Sequence, residues 1–529
     1  MKNLYNRRSF LNLTAKGTLA LSGLVLSTTL SCRKKLSEKP NIIFILVDDM
    51  GWSDLGCYGS EVQTPNIDNL AHNGLRFTQC YNTAKCFPSR ASLLTGVYAQ
   101  QCDMDEKHGA IKNAVTLGEV LKTAGYRTLA SGKHHGTENL YDRGFDHYYG
   151  LRDGCCNFWN PGNKRPGEPE PGRKRTRHWC DDEKTCYPYT PEDKDFYTTD
   201  AFTDRALTWL DEPEAQENPF FLYLAYTAPH YPLHAWPQDI AKYDGVYDAG
   251  YQSIRNERYK RQIEMGLFDP GQAPLPESPA PPPWSDIQGE ERQKEILRMQ
   301  IYAAMLDRVD QNIGRILEKL RRQGKLENTL IMFASDNGAC AEETKPAVMS
   351  DKIKDFGTVA SYETVGEEWA TVQNTPLRYW KNYSHEGGIC TPFIIHWPGH
   401  IQNRGGFCRQ PVHFIDIMST LVDITGAEYP NTFKGTQITP MQGTTLVPAL
   451  HQRPIKRDKP LYWKWRNGGG IREEDTKAVF YDQEWELYDI DTDRNETHDL
   501  AATKPQQLHS MKQRWKTWYH SVKDTVTSR

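Results

Sequence analysis

The run "NIIFILVDDM", residues 41–50, decides how this chain is read as a fold. Six apolar residues, Ile42 to Val47, follow one another without a polar interruption. A strand with one face in water alternates. An unbroken run this short therefore suits a strand buried on both faces, as in a parallel sheet covered by helices. Two carboxylates, Asp48 and Asp49, stand directly at its end.

Outward from this run the same arrangement recurs. "YRTLAS" leads into Gly132, Lys133, His134 and His135, "PFFLYLAY" leads to His230, and "TLIMFAS" ends in Asp336 and Asn337. Helical patterns lie between them. "TLGEVLKTAGY" stops at Gly125, and "MQIYAAMLDRVDQNIGRILEKLRRQGK" stops near Gly324. Alternating strands and helices predict an α/β sandwich. Ligands of such sheets bind beyond the carboxyl ends of the strands, so the four polar clusters are expected to converge in one crevice.

Residues 152–197 (rich in Gly, Pro, charge and Cys) and 266–288 (rich in Pro) read as loop insertions. The basic run "GRKRTRH", residues 172–178, reads first as a solvated loop, with contact to a polyanionic substrate as the alternative. After about residue 451 the pattern changes to short aromatic-rich strands, "KPLYWKWRN", "KAVFYD" and "WELYDID", and a terminal helix. The expected division is a large domain over 40–451 and a smaller antiparallel one over 452–529.

The chain of 529 residues has a formal charge of −4, too small for a general affinity for nucleic acid or anionic membrane, so anion binding must be local. Residues 1–32 read as an export signal. Arg7 and Arg8 resemble a twin-arginine start, an apolar run spans Leu19 to Leu26, and Thr29-Leu30-Ser31-Cys32 resembles a lipobox whose Cys32 is lipidated. The expected location is the periplasm or cell surface of a bacterium, with attachment to the membrane through Cys32. Twelve cysteines in an exported chain lead one to expect disulfides.

Asp48, Asp49, Asp336 and Asn337 offer only hard oxygen donors, which suit calcium or magnesium better than zinc. Lys133, His135, His230, Lys381 and Arg90 add cations and proton-transfer groups, the equipment of a site for phosphate or sulfate. In "KCFPSRASLLTG", Pro88 suits the first turn of a helix, which puts Cys86 at a helix start where anions bind. Three readings of Cys86 stay open on these grounds: a disulfide partner, a thiol nucleophile, or a residue converted to another group.

"CFPSRASLLTG" matches the C-x-P-S-R signature of type I sulfatases, members of the alkaline phosphatase superfamily. "NIIFILVDDMGWSDLGCYG", "TPNIDNLAHNGLRFTQCY", "SGKHHG", "TAPHYP", "FASDNGA", "KNYSHEGGICTPFIIHWPG" and "ELYDIDTDRNETHDLA" resemble that family's blocks in its order, most closely those of the bacterial arylsulfatase-like branch. The resemblance implies an alkaline phosphatase-like α/β/α sandwich with a smaller C-terminal antiparallel-sheet domain. It also implies that a maturation enzyme oxidises Cys86 to Cα-formylglycine (3-oxoalanine), whose diol attacks sulfur.

By the same resemblance, Asp48, Asp49, Asp336, Asn337 and the modified Cys86 hold one calcium ion. Arg90 and Lys133 steady formylglycine and sulfate, His135 acts on the diol, and His230 and Lys381 serve the sulfate and leaving group. The family's Gly-Lys-Trp-His-Leu-Gly is shortened here to Gly132-Lys133-His134-His135-Gly136; His135 is aligned with the functional histidine, and His134 is the alternative. The implied substrates are sulfate esters, often of sulfated polysaccharides. Two other readings compete: a phosphoester hydrolase of the same superfamily, and a silent lipoprotein that binds sulfated glycans.

Overall fold

The computed structural model describes residues 39–174, 176–277, 283–343 and 352–527. Pro40–Arg529 forms one compact unit. The export signal expected over residues 1–32, with Cys32, lies outside the described residues. Among those residues no helix is long and apolar enough to cross a membrane.

The main sheet is built from β1 (Asn41–Asp48), β2 (Leu75–Tyr81), β3 (Arg127–Gly132), β4 (His147–Leu151), β5 (Trp179–Asp181), β6 (Lys184–Cys186), β7 (Phe220–Pro229), β8 (Thr329–Ser335), β9 (Cys390–His396) and β10 (Gly406–Cys408). Its order is β10-β2-β9-β8-β1-β7-β3-β4-β5-β6, and Val412–His413 also pairs with β2. β1 runs parallel between β7 and β8. Ile43, Ile45 and Val47 enter one core with Met305 and Val309 of the helix Gly289–Arg322. Ile42, Phe44 and Leu46 enter a second core with Leu121 and Leu421. Both faces of β1 are covered, which is why its sequence shows no alternation.

Five neighbouring strands, β8-β1-β7-β3-β4, are parallel, whereas β9 and β5 flank them antiparallel. The sheet is thus mixed. β9 follows the short helix Glu386–Ile389 and enters from the end where β8 leaves, so it can only run the other way. The helix Leu117–Lys122 starts in a capping box: Thr116 Oγ1 accepts from Glu119 N at 3.2 Å and Glu119 Oε2 accepts from Thr116 N at 2.8 Å.

The C-terminal sheet comprises Leu461–Trp465, Gly468–Glu473, Thr476–Tyr481 and Glu484–Asp489, all antiparallel, followed by the helix Pro505–Thr527. Its second strand, "GGGIRE", carries no strand signal in the sequence. Glycine is used there because a Cβ at Gly469 would stand 2.6 Å from the Phe480 ring. A buried ion network ties this sheet to the main one. Lys477 Nζ lies 2.8 Å from Glu386 Oε1 and 2.7 Å from Glu496 Oε1, and Arg494 pairs with Glu386.

The expected disulfides are not found among the described residues. Cys57, Cys80, Cys102, Cys156, Cys390 and Cys408 are instead small apolar side chains within the hydrophobic cores.

Candidate active site

The four strand-end clusters meet at one end of the parallel strands. Asp49 has a left-handed backbone, φ 65°, and this reversal lets consecutive carboxylates face the same point. Lys133 pairs with Asp48, and Lys381 Nζ is 2.8 Å and His230 Nε2 3.4 Å from Asp49 Oδ2. Asn337 Nδ2 donates to Asp49 Oδ1 at 2.7 Å. Asp48, Asp49, Asp336, Asn337, Lys133 and Lys381 are all buried.

Cys86 opens the helix Cys86–Thr95. Ser89 fixes that opening, since its Oγ accepts from Thr83 N at 3.0 Å. One turn after Cys86, Arg90 donates from Nε to Asp336 Oδ2 at 2.8 Å and from Nη1 to the Lys133 carbonyl at 2.9 Å. The C-x-P-S-R pattern thus reads physically as a helix start, a turn lock and a guanidinium that joins the ends of β3 and β8. Sγ of Cys86 and carboxylate oxygens of Asp48 and Asp336 lie within 4.8 Å of one another.

Burial and the neighbouring Asp48 push Asp336 up to about 6, against the pull of Arg90 and Lys133. Burial also acts to raise Asp49, but Lys381, His230 and Lys133 outweigh it and hold that carboxyl below its ordinary range. His230 is lowered to about 3, chiefly by burial, with Asp49 opposing. Burial, then Lys133 and Arg90, hold His135 well below its ordinary value. Asp48 Oδ1 and Asn337 Oδ1 are buried without hydrogen-bond partners. Crowded oxygen donors with unused lone pairs fit a hard divalent cation.

Above this cluster is a pocket of about 420 Å³, lined in part by Cys86, His135 and His230. The structure brings His135 to the pocket and turns His134 away, with Nε2 3.6 Å from Glu138. Further lining residues escaped the sequence reading: Lys85, His108, Asp153, Glu342 and Arg466. Arg177 belongs to the basic run read first as solvated, yet it is buried at the pocket wall. Arg466 comes from the turn between the first two C-terminal strands, and Glu342 from five residues beyond Asn337; neither position carries a signal in sequence.

Comparison with known proteins finds relatives over most of the chain. Residues 40–427 match the family model described as Sulfatase, and residues 378–519 the one described as N-sulphoglucosamine sulphohydrolase, C-terminal. An uncharacterised sulfatase of Schizosaccharomyces pombe is 30% identical over 524 residues, 90% of this chain and 93% of that protein. The arylsulfatase of Klebsiella aerogenes is 32% identical over 435 residues, 77% of this chain and 91% of that protein. The solved structure of Ps i-CgsB in complex with k-i-k-neocarrahexaose is similar with a TM-score of 0.67 at 27% identity, over 91% of this chain and 93% of that one.

Proposed function

This chain belongs to the sulfatase family and is a sulfuric ester hydrolase, and we propose that it cleaves sulfate esters of a sulfated polysaccharide or its oligosaccharides, using formylglycine made from Cys86 and one calcium ion. The observation that carries the reading is Cys86 at a buried helix start, with its Sγ beside Asp48 and Asp336 and a ring of fixed cations around them. The oligosaccharide bound by Ps i-CgsB supports the substrate class.

Asp48, Asp49, Asp336 and Asn337 would hold the cation, and the Sγ of Cys86 stands where the formylglycine group would be. When present, calcium supplies positive charge to the sulfuryl oxygens and hydrated formylglycine supplies an oxygen nucleophile. Arg90, Lys133 and Lys381 cannot swing away, being anchored to Asp336, Asp48 and Asp49, so they are preorganised for the charge of the sulfate. His135, held neutral, accepts a proton at the Cys86 side of the pocket.

His230 directs Nδ1–H to the Tyr231 carbonyl and Nε2 to the site. A docked anionic ester favours protonation of that Nε2, which can then protonate the departing alcohol. Cys86 is 1% exposed. A formylglycine-generating enzyme would therefore act on the chain before this helix packs. The reading also includes export, with attachment through a lipidated Cys32.

The test is a comparison of kcat/KM on matched sulfate and phosphate esters. Higher efficiency on sulfate is expected, and higher efficiency on phosphate would contradict the reading.

A further inference from the structure

We infer that the ester accepted by this pocket carries a second anionic group, a further sulfate or a uronate carboxylate, held by Arg177 and Arg466. The inference rests on the sulfatase reading above. Arg177 lines the pocket and is only 5% exposed. It donates to the Cys155 carbonyl and, from Nη2, to Cys155 Sγ at 3.2 Å. No carboxylate among the described residues comes within ion-pair distance of it. A buried charge without a counter-charge is costly, and a guanidinium at a substrate pocket finds that counter-charge in the ligand.

The carboxylates that line the pocket are committed elsewhere. Glu342 Oε1 is 2.6 Å from Lys85 Nζ and its Oε2 accepts from Tyr231 Oη at 2.9 Å, while Asp153 pairs with His178 at 3.2 Å. Glu342 thus offsets Lys85 and leaves Arg177 uncompensated.

Arg466 supplies the second guanidinium. It is exposed, lines the same pocket, lies over the Trp465 ring at 5.1 Å and forms no ion pair among the described residues. The sulfate being cleaved has its own cations. Arg90, Lys133 and Lys381 are fixed on Asp336, Asp48 and Asp49 beside Cys86, whereas Arg177 is seated against Cys155. Two separate segments, the 152–197 insertion and the C-terminal sheet, therefore each bring a spare cation to the pocket.

The experiment measures kcat/KM of the mature enzyme on matched disaccharides that differ only in a second sulfate, or only in a uronate carboxylate. The wild type should prefer one doubly charged form, and the form preferred identifies the anion. Arg177→Met should reduce that preference by on the order of tenfold or more, as expected for a charge-assisted hydrogen bond. Arg466→Ala, at an exposed turn that no core depends on, should reduce it by a smaller factor and serves if Arg177→Met does not fold. Sulfate release without preference in the wild type, or a preference that survives both substitutions, overturns the inference alone. No release from any disaccharide overturns the proposed sulfated-glycan substrate and this inference with it.

Discussion

Asn337 gives its side-chain N–H to Asp49 Oδ1 at 2.7 Å and keeps its own Oδ1 buried without a partner. Asp48 Oδ1 is buried without a hydrogen bond, with Arg90 Nη2 3.7 Å away, and Asp336 is pushed up to about 6 by burial and by Asp48. Asp48, Asp336 and Asp49 already pair with Lys133, Arg90 and Lys381, and the lone pairs left over on Asp48 and Asn337 fit a hard divalent cation. A chelator should lower both Tm and sulfatase activity, and calcium should restore both. Calcium at about 100 times its Kd should stabilise by about 2.7 kcal/mol. Asp336→Asn should blunt the response, and a Tm indifferent to chelator in the wild type would count against the site.

The ion network behind the site makes a second prediction. Lys477 bridges Glu386 and Glu496, and all three are buried. Lys477→Met leaves two buried carboxylates without their shared cation, a loss of about 3–5 kcal/mol. Urea unfolding of the two proteins measures it, and a difference below about 1 kcal/mol would show that the network is not the clamp described here.

Gly338 separates Asn337 from the rest of its loop, and a Cβ there would stand 1.8 Å from the Gly387 carbonyl oxygen. That oxygen also accepts from Asn374 Nδ2 at 2.9 Å, so it cannot yield cheaply. Gly338→Ala should push the loop that carries Asp336 and Asn337 away from the one that carries Lys381. A displacement near 1 Å costs about 10²-fold in kcat. Wild-type kinetics in the variant would mean that the two loops move freely.

His234 gives stability a pH dependence outside the catalytic cluster. Nδ1 accepts from Phe158 N at 3.3 Å and Nε2 donates to the Ser361 carbonyl at 3.0 Å, so the ring is complete when neutral. Burial lowers it to about 4, against about 6.5 when unfolded. Its contribution is present above pH 6.5 and is lost as pH falls through 4, on the order of 3 kcal/mol in total. Unfolding measured at pH 7.5 and pH 5 should show a smaller pH effect in His234→Gln than in the wild type; equal pH effects would contradict the assignment.

Much of this was legible in "NIIFILVDD" and its counterparts, because two-sided burial forbids alternation and strand ends must carry the chemistry. Alternation of strand and helix gave the layered α/β architecture and the meeting of Asp48, Lys133, His230 and Asp336. The antiparallel entry of β9 was hidden, since direction depends on where the chain returns. No disulfide forms among the described residues: a count of cysteines says nothing of their environment, and Cys80 and Cys390 serve as packing atoms. Arg177 and Arg466 reach the pocket through long-range folding, and a charged residue in a loop looks the same in sequence whether it faces solvent or a ligand.

The central claim concerns Cys86, and mass spectrometry of the peptide that contains it tests the claim most directly. The protein should be purified in a form that releases sulfate from its esters. The account predicts the aldehyde, 3-oxoalanine, at position 86; protein active on sulfate esters with only the thiol at Cys86 would contradict it.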